Sequence, residues 1–194
     1  MVWEIKGKAG ERERFSREAM THLDHLYRLA IHLAKEEGDA RDLVQETYVR
    51  AFGSYEQFAP GTNMKAWLTR ILYNFFIDHY HQRKRWISVE DEAAGGEEKL
   101  DYWEKVPIDN PGPESQILQK EMNIKINDAL RKIPEEFRAP IALVDMGDFS
   151  YAEAAEILSC PLGTVRSRLS RGRRLLQKHL KGYMGVKEKG PERK

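Results

Sequence analysis

Between Gly163 and Lys181 lie seven basic side chains and no acid: Arg166, Arg168, Arg171, Arg173, Arg174, Lys178 and Lys181. Thr164, Ser167, Arg168 and Arg171 recur at spacings of three and four, which places them on one helix face. Arginines near a helix N-terminus have the chemistry for the major groove, because one guanidinium can bond guanine O6 and N7 together. Arg173, Arg174 and Lys178 fall further along and suit backbone phosphate, which positions a protein without reading sequence. A basic face on an ordinary bundle helix would have the same composition. The preceding residues separate the two readings. Ser150-Tyr-Ala-Glu153 is a capping box that opens a short helix ending near Leu158, and Ser159-Cys160-Pro161-Leu162 is a turn. Short helix, four-residue turn and longer basic helix together form a helix-turn-helix pattern.

A second set sits earlier in the chain. Asp42, Gln45, Glu46 and Val49 share a helix face opposite the apolar stripe Leu43, Val44, Tyr48, Ala51 and Phe52. This is either an ordinary wet face or a polar docking surface for a basic partner.

The elements that position these groups are helical by period. The chain has 194 residues, 41% hydrophobic and 32% charged, with a formal net charge of +1. That suits a globular protein, too apolar for disorder throughout and without the run of about 20 apolar residues that a membrane-spanning helix requires. The N-terminal MVWEIKGKAGERERF lacks the apolar core of a secretory signal, and the single cysteine, Cys160, excludes an internal disulfide framework. A cytoplasmic location is the expectation. The small net charge conceals an asymmetry. Residues 88–114 hold nine acids against Lys99 and Lys105, a net −7, while Arg83-Lys84-Arg85 and the 163–181 stretch are basic. Basic blocks around an acidic connector suggest two surfaces for a polyanion.

An all-α fold of two small helical domains is expected, joined by a flexible acidic linker. Residues 1–87 form the first domain, 88–113 the linker, 114–182 the second domain and 183–194 a polar tail. The first domain should hold three helices. One runs from about Arg12 to Glu36, with Leu23, Leu26, Tyr27, Ala30 and Leu33 or Ala34 on its stripe. The next is capped by Asp39 and stopped by Gly53, and the third is capped by Thr62. In the second domain a helix covers Glu114–Lys132, another opens at Pro134 and ends at Gly147, and the helix-turn-helix follows.

These residues carry a family resemblance. Asp42-Leu-Val-Gln-Glu-Thr-Tyr-Val-Arg-Ala-Phe52, Trp67-Leu-Thr-Arg-Ile71 and Asn74 resemble the second conserved region of bacterial RNA polymerase sigma factors. Ile133-Pro-Glu-Glu-Phe-Arg138, Ser150-Tyr151 and Cys160-Pro-Leu-Gly-Thr-Val-Arg-Ser-Arg-Leu169 resemble their fourth region. With no long insert between them, the chain looks like the extracytoplasmic-function (ECF) class. Pro60–Leu68 and Arg171-Gly-Arg-Arg174 look most like its oxidative-stress branch.

The resemblance implies an alternative sigma factor that binds core polymerase, recognises minus-ten and minus-thirty-five promoter elements and starts transcription of a stress regulon. Asp42, Gln45, Glu46, Val49 and Arg50 would dock on the beta-prime clamp. The loop from Ser54 to Asn63 would capture a flipped base, with Tyr55, Phe58, Asn63, Lys65, Tyr73 and Asn74 as candidate walls and cations. Tyr55 and Phe58 serve equally well as loop anchors. Arg83, Lys84 and Arg85 would hold backbone phosphate. Thr164, Arg166, Ser167, Arg168, Ser170 and Arg171 would read the minus-thirty-five element. The acidic linker would run along the polymerase's RNA-exit path. An anti-sigma factor is implied as a partner, a zinc-binding one if the oxidative-stress resemblance holds.

The sequence departs from the family at three points. Pro140 sits inside the Pro134 helix, where it removes the bond to the Glu136 carbonyl and should bend the helix. Ala154 replaces a larger apolar residue, and Ser159 stands where the family favours glycine.

Two rival classes remain. An enzyme would need a site, and there is no Gly-rich phosphate loop and no nucleophile elbow. His22, His25 and His32 with Glu18 could at most hold a metal, although such histidines are more often exposed or hydrogen-bonded. His79 and His81 cannot share a helix face. No catalytic residue, cofactor or metal is therefore assigned. The other rival is a one-component helix-turn-helix regulator, which would bind duplex DNA without polymerase and would not need the Asp42–Phe52 face.

Overall fold

A computed structural model describes the backbone of residues 2–34, 36–87 and 113–183, and side chains within 10–34, 36–79 and 121–181. The expected linker at 88–112 and tail at 184–194 lie outside the described residues. So do the side chains of Arg83, Lys84 and Arg85.

Among the described residues, eight α-helices follow in order: α1 Val2–Met20, α2 Leu23–Leu33, α3 Glu37–Gly53, α4 Met64–Ile87, α5 Pro113–Arg131, α6 Glu135–Ile141, α7 Tyr151–Ile157 and α8 Leu162–Tyr183. A 3-10 turn, Tyr55–Gln57, follows α3, and a π-turn, Ala142–Met146, continues α6. The all-helical expectation holds, and no strand occurs among the described residues.

The single helix expected over Arg12–Glu36 is two. Thr21 and His22 interrupt it. The amide of Thr21 donates to Glu18 O (3.2 Å), that of His22 to Ala19 O (3.1 Å), and the Thr21 hydroxyl also bonds Glu18 O at 2.7 Å. These three-residue closures satisfy the carbonyls at the end of α1 and let α2 leave in a new direction. The Tyr48 hydroxyl binds the Ala19 carbonyl at 2.9 Å and anchors that helix end to α3.

Two cap assignments also move. The helix assigned to Asp39 begins at Glu37, so Asp39 lies in its first turn, where its charge complements the helix dipole. The third helix is capped by Asn63 rather than Thr62: Asn63 Oδ1 accepts from the Ala66 amide at 3.1 Å. Thr62 instead closes the preceding turn, bonding Ala59 O through its amide and its hydroxyl. That turn has Pro60 in second place and Gly61 third, with Gly61 at φ 86°, a conformation glycine adopts without strain.

The first core gathers Phe15 and Ala19 of α1, Leu26, Leu29 and Leu33 of α2, Leu43, Val44 and Tyr48 of α3, and Leu68, Leu72 and Phe76 of α4. Burying each large apolar side chain is worth about 1.5–3 kcal/mol. The same cluster runs on into the second domain through Leu143, Phe149, Ile157 and Val165. The two domains therefore share one apolar interior among the described residues. A satellite of Leu130, Ile133, Ile141 and Leu169 holds α5, α6 and α8 together.

Local geometry explains the helix-turn-helix. Ser150 and Glu153 form the expected capping box. At the other end of α7 the Cys160 amide donates to Ala155 O (3.0 Å) and the Ser159 amide to Glu156 O (3.2 Å), a complete Schellman closure. Ser159 occupies its left-handed position at φ 49°, where glycine would be free of strain. Pro140 stands one residue before the end of α6, and the chain widens into the π-turn just beyond it. The expected disturbance is thus an expanded turn after the proline. Mid-helix Gly172 marks the crossing of α8 over α6. A Cβ there would lie 2.7 Å from the Phe137 carbonyl oxygen and 2.8 Å from Ile141 Cδ1.

Two histidines of α2 face the second domain. His32 Nδ1 lies 2.8 Å from Asn127 Oδ1 of α5, a geometry that needs the proton on Nδ1. His25 meets the Phe149 ring edge to face at 5.6 Å, and its Nε2 is buried without a hydrogen-bond partner. Burial, then Lys65, Arg28 and His22, pull the His25 pKa down to about 4, against a smaller opposing effect of Asp148.

Three outcomes follow from this packing. Ser159→Gly should stabilise the protein by about 1 kcal/mol, and Gly172→Ala should destabilise it by about 1–3 kcal/mol, both measured by denaturant unfolding. Acid should loosen the interdomain packing. The closed form binds fewer protons than an open one, whose His25 titrates near 6.5. The packing is therefore at full strength above about pH 6.5 and weakens as pH falls from there towards 4. His25→Leu should remove that component, so wild type and variant melting curves should differ in their pH slope across this window. Parallel slopes would show that His25 does not report the packing.

Candidate promoter and polymerase interface

The residues expected from the sequence to meet promoter and polymerase lie on three surfaces. The first is α3. Asp42, Gln45, Val49 and Arg50 are exposed and Glu46 is half-buried, while Leu43, Val44, Thr47 and Tyr48 turn inward. Val49 is 59% exposed, a large apolar side chain that the fold does not cover. Arg50 Nε donates to Glu46 Oε1 at 2.7 Å, and its guanidinium lies 4.6 Å from the centre of the Phe75 ring. The face is therefore held against α4 at one edge and open along the other.

The second surface is the loop between α3 and α4. Phe15 sits at the centre of an aromatic cluster, with ring centroids 6.1 Å from Phe52, 6.0 Å from Tyr55, 5.8 Å from Phe58 and 5.8 Å from Trp67. Phe58 also meets Trp67 at 5.5 Å and is 8% exposed. Of the two roles open to Phe58, the anchor is the one its position supports: it is buried beside the Phe15 and Trp67 rings. Tyr55 is half-buried at the rim of the cluster, and Asn74 is exposed on α4.

Asn63 and Lys65, at the edge of this loop, and Tyr73, further along α4, are engaged by the second domain. Asn63 Nδ2 donates to Glu153 Oε1 at 2.8 Å. Lys65 Nζ donates to the Gly147 carbonyl at 2.7 Å and lies 4.7 Å from the centre of the Phe149 ring. The Tyr73 hydroxyl donates to Glu135 Oε1 at 3.1 Å. Burial, and then Glu135, push the Tyr73 hydroxyl pKa well up, so it stays a donor. Glu153 serves two purposes at once. Its Oε2 accepts from the Ser150 amide and hydroxyl to close the capping box, and its Oε1 takes Asn63. Those bonds, the Ser150 amide foremost, lower its pKa and keep it a carboxylate.

The third surface is α8. Arg166, Ser167, Ser170, Arg171, Arg174 and Lys178 are exposed, and Thr164 and Arg168 are half-buried. Val165 and Leu169 point into the core, as the helical period requires. The Ser167 hydroxyl bonds back to Thr164 O at 3.0 Å. Arg168 approaches the Tyr73 hydroxyl closely enough to act on it electrostatically. Arg173, expected among the phosphate contacts, makes a two-pronged bond to Asp145 of the π-turn: Nε to Oδ2 at 3.0 Å and Nη2 to Oδ1 at 2.5 Å. In this state its planar fork is taken up in holding α8 to the turn after α6.

Sequence reasoning did not find Glu135, Gly147, Phe149, Asn127 or Asp145 as partners of these surfaces, nor the second use of Glu153. Periodicity reports a residue's own helix face and is silent on contacts between domains. Among the described residues, no three of His, Cys, Asp and Glu are gathered so that they could hold a metal. No helix there is long and apolar enough to cross a membrane.

Comparison with known proteins agrees with this geometry. Residues 19–86 match the family Sigma-70 region 2, and residues 124–176 match Sigma-70, region 4. The chain is 40% identical over 159 residues to the ECF RNA polymerase sigma factor SigE of Mycolicibacterium smegmatis, covering 82% of this chain and 58% of that protein. It is 30% identical over 174 residues to the ECF RNA polymerase sigma factor SigW of Bacillus subtilis, covering 90% of this chain and 92% of that one. Among solved structures, the sigma factor RpoE of Bartonella quintana, in complex with the anti-sigma factor NepR, superposes with a TM-score of 0.70 at 31% identity. That superposition covers 87% of this chain and 98% of RpoE. Two sigma-70 regions in the expected order, on an all-helical chain with a helix-turn-helix in the second, place this protein in the sigma-70 family, as a member of its extracytoplasmic-function class.

Proposed function

We propose that the chain is a dissociable initiation subunit that docks on core RNA polymerase through α3, reads the minus-ten element with the α3–α4 loop and α4, and reads the minus-thirty-five element with α8. The observation that carries this reading is the combination in one chain of a polar face bearing exposed Val49 with a helix-turn-helix whose second helix exposes Arg166, Arg171 and Arg174. A regulator acting on duplex DNA alone has no use for the first of these.

Asp42, Gln45, Glu46, Val49 and Arg50 make the clamp contact. Asn63, Lys65, Tyr73, Asn74 and Tyr55 meet unstacked bases and nearby phosphate, and Phe58 holds their loop in place. Arg83, Lys84 and Arg85, at the end of α4, hold backbone. On α8, Thr164, Arg166, Ser167, Arg168, Ser170 and Arg171 face base edges, and Arg174 and Lys178 take phosphate. The protein has no catalytic residue of its own, works in the cytoplasm where polymerase is, and serves a stress regulon. An anti-sigma factor is its natural antagonist, by analogy with the RpoE–NepR complex. A zinc-binding antagonist follows from the oxidative-stress resemblance of Pro60–Leu68 and Arg171–Arg174 alone.

Run-off transcription on sheared genomic DNA, with and without the protein, tests the function. Discrete new starts that share two upstream elements and depend on core polymerase are expected. Tight duplex binding without polymerase, and no new starts, would favour the one-component regulator.

Variants test the roles. Gln45→Ala with Glu46→Ala should weaken core binding about tenfold while leaving helical content intact, and unchanged assembly would reject the docking face. Arg168→Ala or Arg171→Ala should cost about 1–3 kcal/mol of promoter discrimination if the side chain pairs a guanine. Arg173 separates from these. If it fixes α8 through Asp145, then Asp145→Ala and Arg173→Ala weaken minus-thirty-five binding equally and leave its salt dependence alone. A phosphate contact predicts instead that only Arg173→Ala acts, lowering the salt slope by about one.

A further inference from the structure

The α8 face assigned above to the minus-thirty-five element is polar with one exception. Arg166, Ser167, Ser170, Arg171 and Arg174 are exposed along it, and at its N-terminal end stands Leu162. Leu162 is 39% exposed, a large apolar side chain that the fold leaves open. Pro161 and Gly163 on either side of it are exposed too. Three consecutive residues without a polar side chain thus form the tip where the turn of the helix-turn-helix enters α8. Arg166 follows Leu162 by four places, so the leucine lies one turn before it on the helix surface. Val165 and Leu169 are buried and mark the inward side. Leu162 therefore stands at the rim between the core and the arginine-bearing face.

Gly163 bears on how closely a partner can approach that rim. Its backbone is ordinary helix, without a positive φ, and a Cβ added there would meet nothing within 4 Å. Neither strain nor packing inside the chain calls for glycine, and glycine is less favourable than alanine in a helix. Gly172, further along α8, is the contrast: a Cβ there would lie 2.7 Å from the Phe137 carbonyl oxygen. Gly172 answers to a neighbour within the chain, and Gly163 fits a neighbour outside it.

The major groove presents one apolar group, the C5-methyl of thymine, and its other features are donors and acceptors. A leucine beside arginines that bond base edges has that single matching counterpart. We infer that Leu162 is a specificity-determining residue that reads a thymine methyl in the minus-thirty-five element, with Gly163 letting the helix end come close enough for contact. This inference rests on the assignment of α8 to that element made above. The arginines supply directional bonds to base edges. The leucine adds a non-directional contact that prefers thymine to cytosine, because cytosine carries no methyl at that place.

The test is a methyl scan with holoenzyme on a promoter recovered by run-off transcription. Each thymine of the minus-thirty-five element, on both strands, is replaced in turn by uracil, which removes only the methyl. With the unsubstituted protein one position should lose about fourfold in affinity, the effect of one buried methyl. Leu162→Ala should bind the thymine promoter about as weakly and lose nothing further with uracil at that position, and far-UV helicity checks that it folds. Gly163→Ala should melt no lower than wild type, yet bind promoter about tenfold more weakly. A flat scan overturns the proposal, as does a Leu162→Ala variant that keeps the wild-type loss at the same thymine. Unchanged promoter affinity in Gly163→Ala overturns the close approach on which the contact depends. A flat scan with weaker core binding by Leu162→Ala in the absence of DNA would assign the side chain to a protein contact instead. If scrambling the whole element leaves run-off unchanged, the promoter-reading assignment itself fails. Run-off that needs the element, with a flat scan, removes the leucine contact alone.

Discussion

The structure depends on α2, an eleven-residue helix buried on nearly every side. Leu26, Tyr27, Leu29, Ala30, Ile31 and Leu33 are all buried. A surface helix needs one apolar stripe, and a helix apolar most of the way round must be covered on more than one side. Here α3 and α4 cover one side, and α5, α6 and the π-turn meet the other. The second domain thus completes the burial of a helix that belongs to the first. The shared apolar interior follows from that, as does the placement of His25 and His32 at the contact. Neither histidine can stay charged there without a cost: one packs against Phe149, and the other is bound to Asn127.

Much of the second domain was legible because its signals are local. The capping box at Ser150 and Glu153, the turn through Pro161 and the inward positions of Val165 and Leu169 each depend on residues within a few places of one another. Ser159 is a clear instance: the reading that it stands at a glycine position is matched by its left-handed φ. The first domain was legible as to helices and less so as to their ends. Thr21 and His22 carry no strong stop signal, yet the chain turns there because the hydroxyl of Thr21 and the Tyr48 phenol take up the last carbonyls of α1. Thr62 and Asn63 are both good caps by type, and a turn that already uses the Thr62 hydroxyl leaves Asn63 to do it.

The candidate surfaces divide in the same way. The α3 and α8 faces could be read from helical period, since exposure there is decided by each helix's own stripe. The partners of Asn63, Lys65 and Tyr73 lie 62 to 90 residues away and leave no pattern in the sequence. One trace was present. Leu29 and Ile31 fall outside the single stripe expected for α2, and an extra apolar side on a short helix signals a second layer packed against it.

The division of labour between apolar and polar contacts sets how such a seam behaves. The apolar part, Phe149 with Leu143 and Ile157 against α2 and α4, is non-directional and would hold two domains together in many orientations. Direction comes from the polar pairs, which have donors and acceptors at fixed places. Glu153 shows how little sequence this requires. The oxygen that caps α7 fixes the carboxylate, and the second oxygen is then aimed at Asn63 without further restraint. A group already ordered for folding loses little entropy on binding, so the contact forms without a rigidifying partner of its own. The same hydrogen bonds keep the carboxylate ionised, and an ionised carboxylate in front of Asn63 repels an anion approaching there. One residue therefore caps a helix and joins two domains through its two acceptor oxygens, and its charge adds an electrostatic bar to anions beside Asn63.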